Sequence, residues 1–194
     1  AGATVVGTAT TAEGAQTITQ ALTEAGIKGA GVALNVTDAA QVETVRAIYS
    51  DVKNPRTGEV YFAGHEPGSE MGWNTMAGAN PFTIATDMFK YVVKGDPNFD
   101  YKTMNFDADM TAALKVGAVI DGTDPNLKKF YDRGGKIIQY HGWGDAAIPA
   151  QDSIDYYEAV RTFMAKFPGA KQPVEDFYRL YLVPGMGHCN SGIG

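Results

Sequence analysis

Apolar residues recur along the chain at strand-like and then helix-like spacings, and their order predicts the first elements. Ala3 to Thr8 is rich in β-branched residues and reads as a strand. Thr10 and Glu13 have the spacing of a capping box, and Ala15, Ile18, Leu22 and Ala25 then fall on one helical face until Gly26 stops it. Gly31 to Val36 is a second short apolar run, suited to a buried parallel strand. Asp38 starts another helix with Val42, Val45 and Tyr49 on one face. Strand, helix, strand and helix in that order predict a βαβ unit.

The middle of the chain loses this regularity. Turn signals crowd residues 53–81, at Lys53-Asn54-Pro55-Arg56-Thr57-Gly58, Glu66-Pro67-Gly68-Ser69 and Ala79-Asn80-Pro81, and predict a lid or long loop. Helical spacing returns at Ile84, Met88, Tyr91 and Val92, and Phe99, Tyr101 and Phe106 in the next irregular stretch read as satellite core. From Asp124 the pattern sharpens. Asp124-Pro125 predicts an N-cap and first turn, Leu127, Phe130 and Tyr131 the buried face, and Gly134-Gly135 the stop. A strand over 136–140 runs into His141-Gly142-Trp143-Gly144-Asp145. A helix over 152–167 turns Ile154, Tyr157, Val160 and Met164 inward and stops at Pro168-Gly169, and a strand over 177–183 runs into the loop that ends at His188-Cys189. The fold class is therefore α/β, in three segments: 1–43, 44–123 and 124–194.

Composition narrows the function classes. The 194 residues are 44% hydrophobic and 20% charged, enough apolar material for a packed core. With 16 Lys+Arg against 22 Asp+Glu the net charge is −6, which argues against nucleic acid or an anionic membrane as partner. Apolar runs stay far below the roughly 20 residues that span a bilayer. The start AGATVVGTAT has no basic segment ahead of an apolar stretch, so no leader is expected there. A single cysteine forms no internal disulfide, and no Cys/His cluster has metal-ligand spacing, so no metal is expected.

Two residues carry the candidate chemistry. Asp145 lies just past the carboxyl end of one predicted strand and His188 just past the carboxyl end of the next, with a helix between them. Functional groups of open α/β sheets gather at those ends, and adjacent parallel strands lie about 4.8 Å apart, close enough to bring a carboxylate to an imidazole. Such an aspartate fixes the ring tautomer and stabilises the imidazolium that forms when the other nitrogen takes a proton. Singly, either residue reads as a turn former or a structural histidine; the order strand–Asp–helix–strand–His is what favours catalysis. His65 lies in the turn-rich region, and His141 is expected to shape the loop before Asp145.

The motifs GGKIIQYHGWGDAAIP (134–149), Asp155-Tyr156-Tyr157 and DFYRLYLVPGMGHC (176–189) resemble the end of the tannase/feruloyl esterase family, and QVETVRAIYSDVKNPRTGEVYFAGHEPGSEMGW (41–73) resembles the part that closes its lid. The resemblance covers about 41–194. It implies a partial α/β-hydrolase, with Asp145 and His188 as acid and base of a Ser-His-Asp triad that cleaves aromatic-acid esters, a small-molecule substrate, without metal or redox cofactor. In the family the nucleophile follows a cysteine in a C-S-x-G-G elbow, and that cysteine pairs with the one after the catalytic histidine. Cys189 matches the second cysteine, and the resemblance implies that it is half of such a disulfide. Neither the elbow nor a G-x-S-x-G is present: Ser50, Ser69, Ser153 and Ser191 all stand in other contexts. The chain alone is thus expected to be inactive or nearly so.

Residues 2–43 resemble short-chain dehydrogenases, most closely 3-oxoacyl-acyl-carrier-protein reductases, which implies a Rossmann-like βαβ piece. On that alternative NADP is the cofactor, with Thr10 near its ribose phosphate and Asn35 and Val36 near its adenine; the plainer reading of Thr10 is a helix cap. Two partial resemblances meeting at Asp38–Glu43 lead to the expectation that the chain is a composite or a fragment. A third alternative is a non-catalytic interaction protein that docks through Tyr61, Phe62, Trp73 and Phe82. The compartment follows the family, secreted or periplasmic for the hydrolase and cytoplasmic for the reductase, and the oligomeric state stays open.

Overall fold

The computed structural model describes residues 5–35, 37–77, 81–167 and 173–189. Val36, Ser191 and the stop expected at Pro168-Gly169 lie outside these residues. Strand β1 (Val5–Ala9), helix α1 (Ala12–Glu24), strand β2 (Gly29–Ala33) and helix α2 (Ala39–Tyr49) follow in the predicted order. β1 and β2 pair in parallel from Val5 against Gly29 to Ala9 against Ala33, which makes the βαβ unit. The helix sits tightly on the sheet: a Cβ on Gly31 would overlap the carbonyl of Ala15, and the Gly31 amide donates to the Thr19 hydroxyl at 2.8 Å. The cap of α1 is Thr11, whose hydroxyl accepts from the Gly14 amide at 3.1 Å, so the cap stands one residue later than the expected Thr10 and, with glycine three residues on, is not a capping box. Asp38 caps α2 as expected, accepting from Ala40 and Gln41.

The turn-rich middle is more ordered than its composition predicts. Short strands β3 (Val52–Lys53) and β4 (Val60–Phe62) form an antiparallel hairpin around buried Asn54. The Asn54 carbonyl oxygen accepts from the Arg56 and Thr57 amides at 2.8 and 3.0 Å, and its amide donates to Asp107 at 2.9 Å. A 3₁₀ turn at Glu70–Gly72, helix α3 (Trp73–Ala77) and helix α4 (Thr83–Asp87) follow. From Met88 to Val93 the chain winds as a π-helix. The wider winding breaks the helical spacing of Ile84, Met88, Tyr91 and Val92. Ile84, Tyr91 and Val92 are 68%, 61% and 53% exposed, and Phe89 instead stacks on Phe99 with centroids 6.2 Å apart. Only Phe99 of the three expected satellite aromatics is so placed; Tyr101 and Phe106 are exposed. Helix α5 (Ala108–Ile120) was not expected, because ADMTAALKVGAVI is apolar on most sides and Asp107 makes no side-chain cap.

The last segment carries the main core. Helix α6 (Lys128–Asp132), strand β5 (Ile137–Gly142), helix α7 (Ala150–Met164) and strand β6 (Tyr178–Val183) form a second strand–helix–strand unit. β5 and β6 pair in parallel from Ile137 against Tyr178 to Gly142 against Val183. Val160, Met164, Val174, Phe177 and Tyr178 are buried together, with Leu127, Phe130 and Tyr131 of the α6 region packed on them. α6 begins later than the Asp124-Pro125 signal, since the Asp124 carboxylate closes a turn on the Asn126 amide at 2.9 Å. Gly134, at φ 75°, ends it as expected. Among the described residues the β1–β2 and β5–β6 pairs are separate two-stranded sheets. No helix there is long and apolar enough to cross a membrane.

Met164 is 3% exposed at the centre of this cluster. Met164→Ala is expected to cost about 2–5 kcal/mol, read as a lower urea midpoint at unchanged slope. A loss below about 0.5 kcal/mol, typical of surface positions, would place the core elsewhere.

Candidate active site

The register of β5 and β6 decides what meets at their carboxyl ends. Gly142 pairs with Val183, the Trp143 amide donates to the Val183 carbonyl at 2.9 Å, and the Gly144 amide donates to the Met186 carbonyl at 2.9 Å. A Cβ on Gly142 would overlap the carbonyl oxygens of Met186 and Gly187, so glycine is required for the loops to approach this closely. Gly185, at φ 72°, turns the second loop back over the first.

The two loops bring Asp145 and His188 together, with Nδ1 of His188 2.9 Å from Oδ2 of Asp145. Asp145 is 3% exposed. Its other oxygen, Oδ1, accepts from the amides of Ala147 and Ile148 at 2.8 and 3.0 Å. Burial alone would push this carboxyl up, but the Ile148 amide, the His188 ring and the Ala147 amide together hold it below the usual carboxylate range. An ionised Asp145 keeps the proton of His188 on Nδ1 and leaves Nε2 as the basic nitrogen. The His188 side chain is 54% exposed, and its Nε2 has no hydrogen-bond partner among the described residues.

His141 does more than shape a loop. From the end of β5 its Nε2 lies 3.0 Å from the Ile148 carbonyl oxygen and 3.3 Å from Oδ2 of Asp145, and its Nδ1 lies 2.6 Å from the Ser153 hydroxyl. The signal in the sequence was the four-residue separation of His141 and Asp145 across a Gly-rich turn. Glu66 was also missed. Its buried carboxylate accepts from the Ala150 and Gln151 amides at 3.1 and 2.8 Å, capping α7 from 84 residues away. This cap starts α7 at Ala150 rather than at Asp152. Buried Ser69 donates to the Glu66 carbonyl at 2.8 Å and accepts from the Trp73 indole at 3.0 Å, and Tyr49 of α2 hydrogen-bonds Glu70. The turn-rich segment is thereby clamped over the start of α7.

A cavity of about 370 Å³ opens beside His188, walled by Gly68, Met71, Met76, Ala146 and Gly187. A second, of about 220 Å³, lies against Tyr140, His141, Asp145 and Cys189. A third concavity, of about 670 Å³, is at the far end of α7 beside Arg161 and Phe167, away from both residues of the pair. Cys189 is an exposed free thiol at φ 66°. Ser50, Ser69 and Ser153 are each hydrogen-bonded elsewhere and do not approach His188. Of the residues named on the NADP alternative, Thr10 is exposed, Asn35 closes a turn with its side-chain oxygen accepting from the Thr37 amide at 3.0 Å, and Val36 lies outside the described residues.

Asp152 has a buried carboxyl oxygen, Oδ2, without a partner. Burial first, and the charges of Asp155 and Glu66 after it, push its carboxyl up to about 6. The folded chain then holds a proton that the unfolded chain, with an ordinary pKa of about 3.9, releases. The linked stability is complete below about pH 4 and is lost as pH rises through about 6. Asp152→Asn is expected to gain on the order of 1 kcal/mol over the parent at about pH 8, after discounting for solvent screening, and little at about pH 4. Equal effects at both pH values in urea titrations would contradict this.

The sequence model of the family described as tannase and feruloyl esterase matches residues 6–194. An uncharacterised esterase of Xanthomonas campestris pv. campestris is 34% identical over 182 residues, which take in 80% of this chain and 32% of that protein. Feruloyl esterase C of Talaromyces stipitatus is 32% identical over 155 residues, 79% of this chain and 28% of that protein. The crystal structure of feruloyl esterase B from Aspergillus oryzae superposes with a TM-score of 0.72 at 30% identity, over 80% of this chain and 31% of that one. The chain thus spans about a third of the length of the relatives it matches. The match from residue 6 onward runs across the junction expected at Asp38–Glu43 and takes in the segment read as reductase-like, so neither the reductase resemblance nor a composite origin is supported.

Proposed function

The chain belongs to the tannase and feruloyl esterase family, and from that premise we propose that it carries the acid and base of a serine carboxylesterase for esters of aromatic acids. The observation that carries this reading is the 2.9 Å bond from His188 Nδ1 to a buried, ionised Asp145, with Nε2 left facing a cavity. His188 Nε2 takes the proton of a serine hydroxyl as the oxygen attacks the ester carbonyl. The imidazolium, held by Asp145, returns that proton to the departing alkoxide. Water, deprotonated by the same nitrogen, then releases the acid from the acyl-enzyme.

Backbone N–H groups facing the oxyanion stabilise the tetrahedral intermediate. The serine lies outside these 194 residues, in keeping with the third of the relatives' length that the chain spans. The cavity beside His188 suits a planar acyl group: glycine backbone gives flat walls, and Met71 and Met76 give polarisable ones. None of these steps needs a metal or redox cofactor. A location outside the cytoplasm, secreted or periplasmic, belongs to the same proposal.

The test uses a polypeptide that holds these residues together with the nucleophilic serine. His188→Ala is expected to lower kcat on a feruloyl or galloyl ester by on the order of a millionfold, and Asp145→Asn by about ten thousandfold, with KM little changed. Turnover by His188→Ala within about tenfold of the parent would end the proposal. The 194 residues by themselves are expected to show no burst with a chromogenic ester.

A further inference from the structure

Asp145 is the end of a longer polar chain that the proposed reaction does not use. Tyr178 hydrogen-bonds the side-chain oxygen of Gln139 across the β5–β6 pair. The Gln139 amide donates to the Ser153 hydroxyl oxygen at 2.9 Å, and Ser153 lies 2.6 Å from Nδ1 of His141. Nε2 of His141 lies 3.0 Å from the Ile148 carbonyl and 3.3 Å from Oδ2 of Asp145, the oxygen that also receives His188. Tyr178 is 1% exposed, and Ser153 and the His141 side chain are 8% and 12% exposed.

Donor and acceptor roles along this chain allow one consistent direction. The Ile148 carbonyl can only accept, so Nε2 of His141 must carry a hydrogen. In the neutral ring Nδ1 is then an acceptor, and the Ser153 hydroxyl donates to it. Ser153 has its own oxygen free to accept from Gln139, whose other end accepts from Tyr178. Burial pushes the Tyr178 phenol up to about 12, so it stays a protonated donor at neutral pH. Every hydrogen therefore points toward Asp145.

We propose that His141 is a positioning residue, held in its Nε2–H tautomer by the Ile148 carbonyl on one side and by Ser153, with Gln139 and Tyr178 behind it, on the other, and that it packs against the Asp145 oxygen that receives His188. This rests on the esterase reading for its purpose. Asp145 has two amide donors on Oδ1 and His188 on Oδ2, and the His141 ring packed 3.3 Å from Oδ2 leaves the carboxylate no room to rotate. Ser153 is a relay, not a nucleophile: it is buried in the first turns of α7, and its hydroxyl proton is committed to His141. The titratable groups around His141 are Asp145, His188 and Asp152, and the last acts on it through space from α7.

Nitrogen-detected NMR of the labelled 194-residue chain at neutral pH tests this. In the parent, His141 is expected to show a protonated Nε2 and a bare Nδ1, and His188 the opposite. Ser153→Ala removes the donor to Nδ1 and is expected to shift the bare Nδ1 resonance of His141 and to abolish the slowly exchanging Nδ1–H signal of His188, while the amide signals of Val160 and Phe177 stay in place. A proton on Nδ1 of His141 in the parent would overturn the proposal without any variant. So would unchanged ring signals in a folded Ser153→Ala, or labelling of Ser153 by an aryl phosphonate. The readout comes from nitrogen shifts and not from turnover, so failure of the relay and failure of the esterase reading are separate results.

Discussion

The carboxylate of Asp145 accepts three hydrogen bonds, from two backbone amides on one oxygen and from His188 on the other, and the His141 ring closes on that second oxygen at 3.3 Å. A buried charge is tolerated only when it is satisfied in this way. Much of the last segment serves that requirement. The parallel register of β5 and β6 brings the two loops level, Gly142 lets their backbones touch, and the turn from Ala146 to Pro149 presents the two amides. Helix α7 contributes Ser153 behind His141 and, through the core around Val160 and Met164, holds both strands in place.

The turn-rich segment acts on the same centre from outside. Glu66 supplies the anion that the amino end of α7 requires, so the helix carrying Ser153 is anchored by a residue from a different part of the chain. Ser69 and Trp73 hold that loop, and the following residues, Met71 and Met76, wall the cavity beside His188. A change in the 66–76 segment is thus felt in two ways, through the walls of the cavity and through the start of α7. Tyr49 links this segment to α2, through its hydrogen bond to Glu70 and its edge-on contact with Trp73, 5.2 Å between centroids.

The part of this arrangement that was legible in the sequence is the part written in local signals. Strands 137–142 and 178–183, the helix between them and the positions of Asp145 and His188 follow from periodicity, glycine punctuation and chain order. What escaped depends on partners far apart in sequence. The Glu66 cap bridges 84 residues, and the roles of Gln139, Ser153 and His141 appear only when β5, α7 and β6 are superimposed. The π winding from Met88 reversed an apolar pattern that read as an ordinary helix, and α5 was hidden because its apolar residues surround it. The βαβ unit expected from periodicity in the first segment does form, a pattern that many α/β proteins share and that by itself specifies no cofactor.

The account stands or falls on where Nε2 of His188 points when the nucleophile is present. The direct measurement is the distance from that nitrogen to the serine oxygen in a structure of a polypeptide carrying both, with an aryl phosphonate bound. The account predicts roughly 2.6–3.2 Å, with Nδ1 still on Asp145. A labelled serine beyond hydrogen-bond reach of His188, or a His188 turned away from Asp145, would contradict it.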